Sequence, residues 1–214
     1  MQIRSCEAQL LAIPLVRPVV SGMSSGDRGA GLSTIFMPVV TLTTDDGRVG
    51  RGYTWALAAG GPSMRSVIQE DIGPELIGLA ACDHEQILHR LYWKTQGVGR
   101  HGLVTQSIAA VDLALWDLRA QMAGLPLYRL LGGRRDRAPV YGSDGGWLNM
   151  SVDEIVEAAR DYLDQGMRGV KLKVGHDEPE IDIERVSRVR EALGGDAWIA
   201  VDANQKWDLP RATR

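Results

Sequence analysis

Cysteine is scarce in this chain: Cys6 and Cys82 are the only two in 214 residues, with no Cys-x-x-Cys and no metal-like spacing. That excludes a disulfide scaffold and points to a reducing compartment. No run of 18 apolar residues is present, and Met1-Gln2-Ile3-Arg4-Ser5 lacks the layout of a signal peptide. The expectation is therefore a soluble cytoplasmic protein that does not enter a membrane. Charge of one sign is also missing as a block: 24 basic and 27 acidic residues leave a net −3, with no basic stripe. Nucleic acid and anionic membranes are thus not expected partners. No Gly-x-Gly-x-x-Gly or Walker loop follows a strand-like segment, which argues against a nucleotide site. Internal repeats and low-complexity tracts are absent as well.

What the chain does contain falls into two regimes. In the first, residues 3–13, 34–44 and 49–55 read as strands, and Asp45-Asp46-Gly47 predicts a hairpin turn. The Gly- and Ser-rich stretch 18–33 reads as a mobile loop. Helical periodicity follows over 62–76, 83–96 and 104–123. In the last of these, Ile108, Val111, Leu115, Leu118 and Met122 form one apolar stripe that Gly124 and Pro126 end. Strands followed by helices imply a small α+β domain over residues 1–138.

The second regime, 139–214, alternates. Val140-Tyr141 reads as a short strand, and Ser151-Val152-Asp153-Glu154 is a capping box opening a helix. A strand, Gly169–Gly175, then a helix over 179–193 and the strand Trp198–Asp202 follow. Repeated βα units predict a parallel sheet, as a (β/α)₈ barrel or a doubly wound sheet.

Chemistry is best placed in Lys171-Leu172-Lys173. Val170, Leu172 and Val174 alternate with the lysines, so both ammonium groups leave one face of the strand. Both faces of a parallel strand are normally covered, and two unpaired like charges are costly there, so the lysines require a polar site. The plain alternative is a snorkelling pair on an edge strand. Two neighbouring ammonium groups raise the cost of charging either one, which suits one of them to general-base work near neutrality. Asp202 closes the next strand and offers a hard oxygen donor to a cation such as Mg²⁺, or equally an N-cap to the following helix. His84, His89, His101 and His176 read as surface residues. Asp112 and Asp117 read as structural polar contacts to the second half of the chain.

Four motifs in order resemble the enolase superfamily, in its mandelate racemase and muconate-lactonizing branch. They are Ala109–Leu118, Gly124–Gly133, the Lys171-Leu172-Lys173 strand and Val201-Asp202-Ala203-Asn204-Gln205. The resemblance covers the whole chain and is finest with acid-sugar dehydratases of the galactarate/talarate type. It implies an N-terminal α+β capping domain followed by an α/β part, the beginning of a modified (β/α)₈ barrel. It implies Mg²⁺-assisted removal of a proton α to a carboxylate; the superfamily is itself a standard case of a Lys or His base working with Mg²⁺. By position, Lys173 would be the general base and Lys171 a contact to the substrate carboxylate. Asp202 would be a metal ligand, and Asn204 and Ser143 substrate contacts. The loop 18–33 and the turn after Tyr53 would close over the site. A small carboxylate substrate, of sugar-acid class, and a homo-oligomeric parent are implied too.

One departure stands out. A (β/α)₈ barrel takes about 250 residues, yet 74 run from Tyr141 to Arg214, and after Asp202 the only acid is Asp208. The expectation is a piece of an enzyme, inactive alone, with the other metal ligands outside it. Racemase, epimerase or cycloisomerase activity of the same superfamily is the nearest alternative. A Schiff-base aldolase barrel using either lysine and a non-catalytic binding remnant are the others.

Overall fold

The computed structural model describes residues 1–22, 31–57, 59–99 and 101–213. Two compact units form: Met1–Leu15 with Thr34–Arg134, and Val16–Ser33 with Arg135–Arg214. Val16–Ser33, which the sequence reading assigned to the first domain, thus clusters with the second unit. Half of the expected loop at 18–33 lies outside the described residues, and its two ends, 18–19 and 32–33, are strand rather than loop.

In the first unit, strands β1 (Ile3–Val19), β2 (Leu32–Thr44) and β3 (Val49–Tyr53) make a sheet in that order. β2 and β3 pair antiparallel, with Val40 opposite Gly52 and Leu42 opposite Gly50. The turn between them is the one predicted: Gly47 adopts φ 84°, and its N–H donates to Thr44 O at 3.0 Å.

Helices α1 (Gly61–Ser66) and α2 (Gly73–Leu76) flank a wider π-helical turn, Val67–Ile72, where one regular helix was expected. Pro74 is the physical cause. It has no N–H to give to Glu70 O, so the ladder widens and Gly73 N–H reaches back to Ile68 O instead. Helices α3 (His84–Lys94), α4 (Leu103–Ala123) and α5 (Leu127–Leu130) complete the unit.

α4 lies flat on β3 because both surfaces are small there. A Cβ on Gly52 would stand 2.0 Å from Ala110 O, and one on Gly50 would stand 2.4 Å from Ala114 O. Val111, Leu115 and Leu118 are fully buried beside Val40, Leu42, Ile72 and Leu91, while Met122, expected on the same stripe, is exposed. Gly124 ends α4 in a left-handed cap with φ 62°.

The second unit carries parallel βα units. Helix α6 (Val152–Asp164) opens with the predicted capping box: Ser151 Oγ accepts from Glu154 N–H, and the Glu154 carboxylate accepts from Ser151 N–H at 2.8 Å. β4 (Gly169–Lys173), α7 (Pro179–Leu193), β5 (Trp198–Asp202) and α8 (Leu209–Ala212) follow. β4 and β5 run parallel, Lys171 opposite Ala200 and Lys173 opposite Asp202.

Val140-Tyr141 is not a regular strand. A single parallel bridge, Gly142 to Val170, takes its place, flanked by bonds from Arg168 N–H to Val140 O and from Lys171 N–H to Gly142 O. The track is interrupted after Gly142 and touches β4 again at Gly146, whose O accepts from Lys173 N–H at 2.7 Å and where a Cβ would meet Lys171 O at 2.6 Å. The core below β4 is Met150, Ile155, Leu172 and Val189. No helix among the described residues is long and apolar enough to cross a membrane.

Candidate active site

Alternation along β4 sorts its side chains as the pattern predicts. Val170, Leu172 and Val174 are buried on one face, and Lys171 and Lys173 share the other. Parallel pairing puts Asp202 directly across from Lys173, at the carboxyl ends of both strands. Lys173 Nζ donates to Asp202 Oδ2 at 2.8 Å, and Lys171 Nζ lies 3.2 Å from the same oxygen. The two lysines, Lys173 buried and Lys171 partly so, thus share one carboxylate oxygen, the polar site that neighbouring like charges need.

The snorkelling alternative fails for Lys173, whose side chain is 8% exposed. Asp202 does not cap the next helix either: Asp208 caps α8, accepting from Arg211 N–H at 2.9 Å. The other Asp202 oxygen, Oδ1, accepts from Asn204 N–H at 2.9 Å. Its carboxyl is held down to about 2, first by the Lys173 ammonium and then by that backbone N–H.

Asn204 and Gln205 follow with φ of 49° and 63°, a left-handed stretch in non-glycine residues. The amide oxygen of Asn204 is buried without a hydrogen-bond partner among the described residues. Ser143 sits just past the Gly142 bridge, on the neighbouring parallel track, and is exposed. The fold therefore joins Lys171, Lys173, Asp202 and the Asn204 backbone directly, and sets Ser143 on the adjacent chain segment, beyond the bridge.

Two features escape sequence reading. Trp147 places its ring centroid 5.4 Å from Lys173 Nζ, and its indole N–H donates to Asp144 Oδ1 at 3.0 Å. A tryptophan directly after Gly145-Gly146 is the signal that could have found it. The second feature is buried Asp182 on α7, which accepts from the N–H groups of Gly175 and His176 at 2.7 and 2.9 Å. It also pairs with His176 Nδ1 at 2.6 Å. It holds the turn that leaves β4 just after Lys173.

The reading of the histidines and helix acids needs correction. His176 belongs to that turn, and His84 is buried, 2.5 Å from Asp112 and edge-on to Trp116. Asp112 therefore serves its own unit. Asp117 does the same, accepting from Arg51 N–H on β3 at 2.9 Å.

Among the described residues no three His, Cys, Asp or Glu side chains converge as a metal site. Asp202 is a suitable oxygen donor for a hard cation, but it supplies one carboxylate only.

Comparison with known proteins gives the family. The model of the mandelate racemase/muconate lactonizing enzyme N-terminal domain matches residues 28–132, and that of the enolase C-terminal domain-like family matches 154–214. L-talarate/galactarate dehydratase of Salmonella typhimurium is 36% identical over 205 residues, 96% of this chain and 51% of the relative. The 3,6-anhydro-alpha-L-galactonate cycloisomerase of Streptomyces coelicolor is 34% identical over 197 residues, 92% of this chain and 54% of the relative. The crystal structure of the Salmonella dehydratase, liganded with Mg and L-lyxarohydroxamate, superposes with a TM-score of 0.91 at 35% identity. That match covers 97% of this chain and 53% of the other. The chain spans about half the length of the curated relatives it matches. With both domain models matched in order across the two regimes of the sequence, the chain belongs to the mandelate racemase/muconate lactonizing enzyme family of the enolase superfamily.

Proposed function

We propose that these residues are the base-bearing part of a Mg²⁺-dependent enzyme that removes the α-proton of a carboxylate substrate through an enediolate, and that the whole enzyme is an acid-sugar dehydratase. The observation that carries the reading is the convergence of Lys171, Lys173 and Asp202 at the carboxyl ends of two parallel strands. That is where barrel enzymes place their chemistry. Lys173, as the free amine, takes the α-proton at Nζ. Lys171 stays charged and pairs with the substrate carboxylate, screening the negative charge that develops there. Asn204 and Ser143 contact the substrate.

Mg²⁺ is the metal of this reading, as in the Salmonella dehydratase structure. Asp202 is the one carboxylate these residues give it, the other ligands lying outside them. When bound, the ion would supply Lewis-acid stabilisation of carboxylate charge. Before Lys173 can act it must lose a proton and its bond to Asp202. Substrate arriving between the lysines would loosen that pair.

Residues 1–138 form the capping domain in this reading and 139–214 the beginning of the barrel. Cycloisomerase is the second reading, favoured by the Streptomyces relative; it shares proton removal and differs in the fate of the intermediate.

The test is solvent deuterium exchange into the α-position of galactarate with Mg²⁺ present, followed by proton NMR. The whole enzyme is expected to exchange and dehydrate the acid, its Lys173→Ala form to do neither, and the 214-residue chain alone to be inactive. Exchange undiminished by Lys173→Ala would overturn the role of the lysine. Borohydride trapping of a substrate carbonyl on Lys171 or Lys173 would replace the reading with Schiff-base chemistry.

A further inference from the structure

Arg185, on α7, is a buried cation that hydrogen-bonds to no carboxylate among the described residues. Its guanidinium forks onto two backbone oxygens, Nη1 donating to Met150 O at 2.6 Å and Nη2 to Trp147 O at 3.0 Å. Burial lowers its affinity for the proton, and the nearby Asp182 charge offsets only part of that. A buried charge satisfied by carbonyls alone is an expensive way to fill a core. What Arg offers here that an apolar residue cannot is a rigid fork reaching two acceptors at once.

The two acceptors bracket a short loop, and its first three residues, Trp147, Leu148 and Asn149, each hold something else. Trp147 puts its ring against Lys173 Nζ. Leu148 N–H donates to Val20 O at 2.9 Å. Asn149 clasps the same segment with both ends of its amide: Oδ1 accepts from Val20 N–H at 3.1 Å, and Nδ2 donates to Pro18 O at 2.9 Å. Just before the loop, Gly146 O accepts from Lys173 N–H at 2.7 Å. Just after it, the Ser151–Glu154 capping box continues outward, with Glu154 Oε1 accepting from Arg17 at 2.9 Å.

We propose that Arg185 is a positioning residue: by fixing the loop 147–150 from below, it sets both the Trp147 ring that faces Lys173 and the Asn149 clasp that registers residues 17–20. Lysine has four rotatable side-chain bonds, so one ion pair to Asp202 fixes its tip along a single direction. A ring on another side restricts the rest. The ring restrains the lysine only while its own backbone is held, and the fork to Trp147 O holds it. One side chain of α7 thereby couples the lysine on β4 to a strand end more than a hundred residues earlier in the chain.

This inference rests on the proposed role of Lys173, but its test reads loop position without turnover. In ¹H–¹⁵N spectra of the 214-residue chain, the Trp147 indole signal, one of six, is identified by its loss in Trp147→Phe. Lys173→Met, which removes the cation facing the ring, should move that signal. Arg185→Met should move or broaden it. The same variant should speed amide exchange at Val20 and Leu148 by about tenfold or more, the effect of losing one well-formed hydrogen bond. Exchange at Ala159, inside α6, should change far less. Arg185→Lys, which reaches one carbonyl at a time, should restore part of the protection. Exchange rising equally at Ala159 and Val20 would reduce Arg185 to a packing residue, and an unmoved indole signal in folded Arg185→Met would overturn the proposal outright.

If Arg185→Met does not fold, the exposed Asn149→Ala and Lys173→Met decide. Asn149→Ala must speed Val20 exchange about tenfold while leaving the indole in place, and Lys173→Met must move the indole; failure of either sinks the coupling. Failure here would leave α-proton chemistry standing. Failure of α-proton exchange in the whole enzyme would leave loop positioning standing.

Discussion

The two units use their polar side chains for different purposes. In the first, each one closes a structural gap. Asp117 and Gln121 of α4 take up the outer edge of β3, accepting from Arg51 N–H and donating to Val49 O. His84 and Asp112 satisfy each other beside Trp116, and Glu75 gathers Arg90 and Lys94. In the second, polar groups hold strand ends and turns: Asp202 both lysines, Asp182 the turn after β4, Arg185 and Asn149 the loop 147–150. Each unit buries an apolar core, Ile72, Leu91, Leu115 and Leu118 in the first and Ile155, Leu172 and Val189 in the second, while Ile183, Val201 and Leu209 of the second are 64%, 51% and 76% exposed. Polar groups that finish a unit's own fold serve its stability, whereas the charged cluster at the ends of β4 and β5 is where the proposed chemistry would sit.

That contrast can be broken most forcefully in the first unit. Leu115→Ala opens a cavity in its closed core and should cost about 2–5 kcal/mol, read as a lower urea midpoint for the transition that reports this unit. Ile183→Ala on the second unit should shift its own transition by no more than about 0.5 kcal/mol. Comparable losses would mean that the exposed face of α7 is covered in solution. Next comes Gly52→Ala, whose new methyl would press on the α4 backbone at Ala110 and Ala114. It should destabilise by about 1–3 kcal/mol, whereas Gly47→Ala, with open space around it but φ at 84°, should cost about 1 kcal/mol. Ser151→Ala removes the capping box of α6 and should lower the second unit by about 1 kcal/mol, leaving the first unchanged in amide exchange.

The smallest effect sharpens the comparison most. Asp202 titrates at about 2 in the folded chain, against about 3.9 for a free aspartate. A depressed carboxyl stabilises the fold above its unfolded value, and that contribution disappears as pH falls from about 4 through about 2. Partial exposure screens the pair, so the pH-dependent part should stay below about 1 kcal/mol. Asp202→Asn should flatten this slice of the stability–pH curve for the second unit. A curve identical to that of the unsubstituted chain would show the ion pair to be too screened to matter.

Much of the fold is legible in the residues. Period-two alternation predicts that Lys171 and Lys173 share a face, the Asp-Asp-Gly turn predicts the β2–β3 hairpin, and Ser151-x-x-Glu154 predicts the start of α6, because each is a short-range rule with one physical cause. Other features were not legible. Pro74 widens a helix by removing a donor, which periodicity does not register. His84 reads as surface until α4 supplies Asp112 and Trp116 to bury it. Ile183 is an apolar residue of a helix the sequence predicts, yet nothing among the described residues covers it.

For the candidate site the division is similar. Residue type and spacing, with the family resemblance they carry, single out Lys171, Lys173 and Asp202. That all three meet on one carboxylate oxygen depends on the parallel register of β4 with β5, which local sequence does not encode. Trp147, Asp182 and Arg185 came into view only in three dimensions, since each acts through a partner on another element, at separations of up to 38 residues. The sequence alone determined which side chains leave which face of each strand and helix, because that follows from backbone period. Only the tertiary structure decided which of those faces meet, because pairing across long loops is set by the joint packing of the whole chain and not by any segment of it.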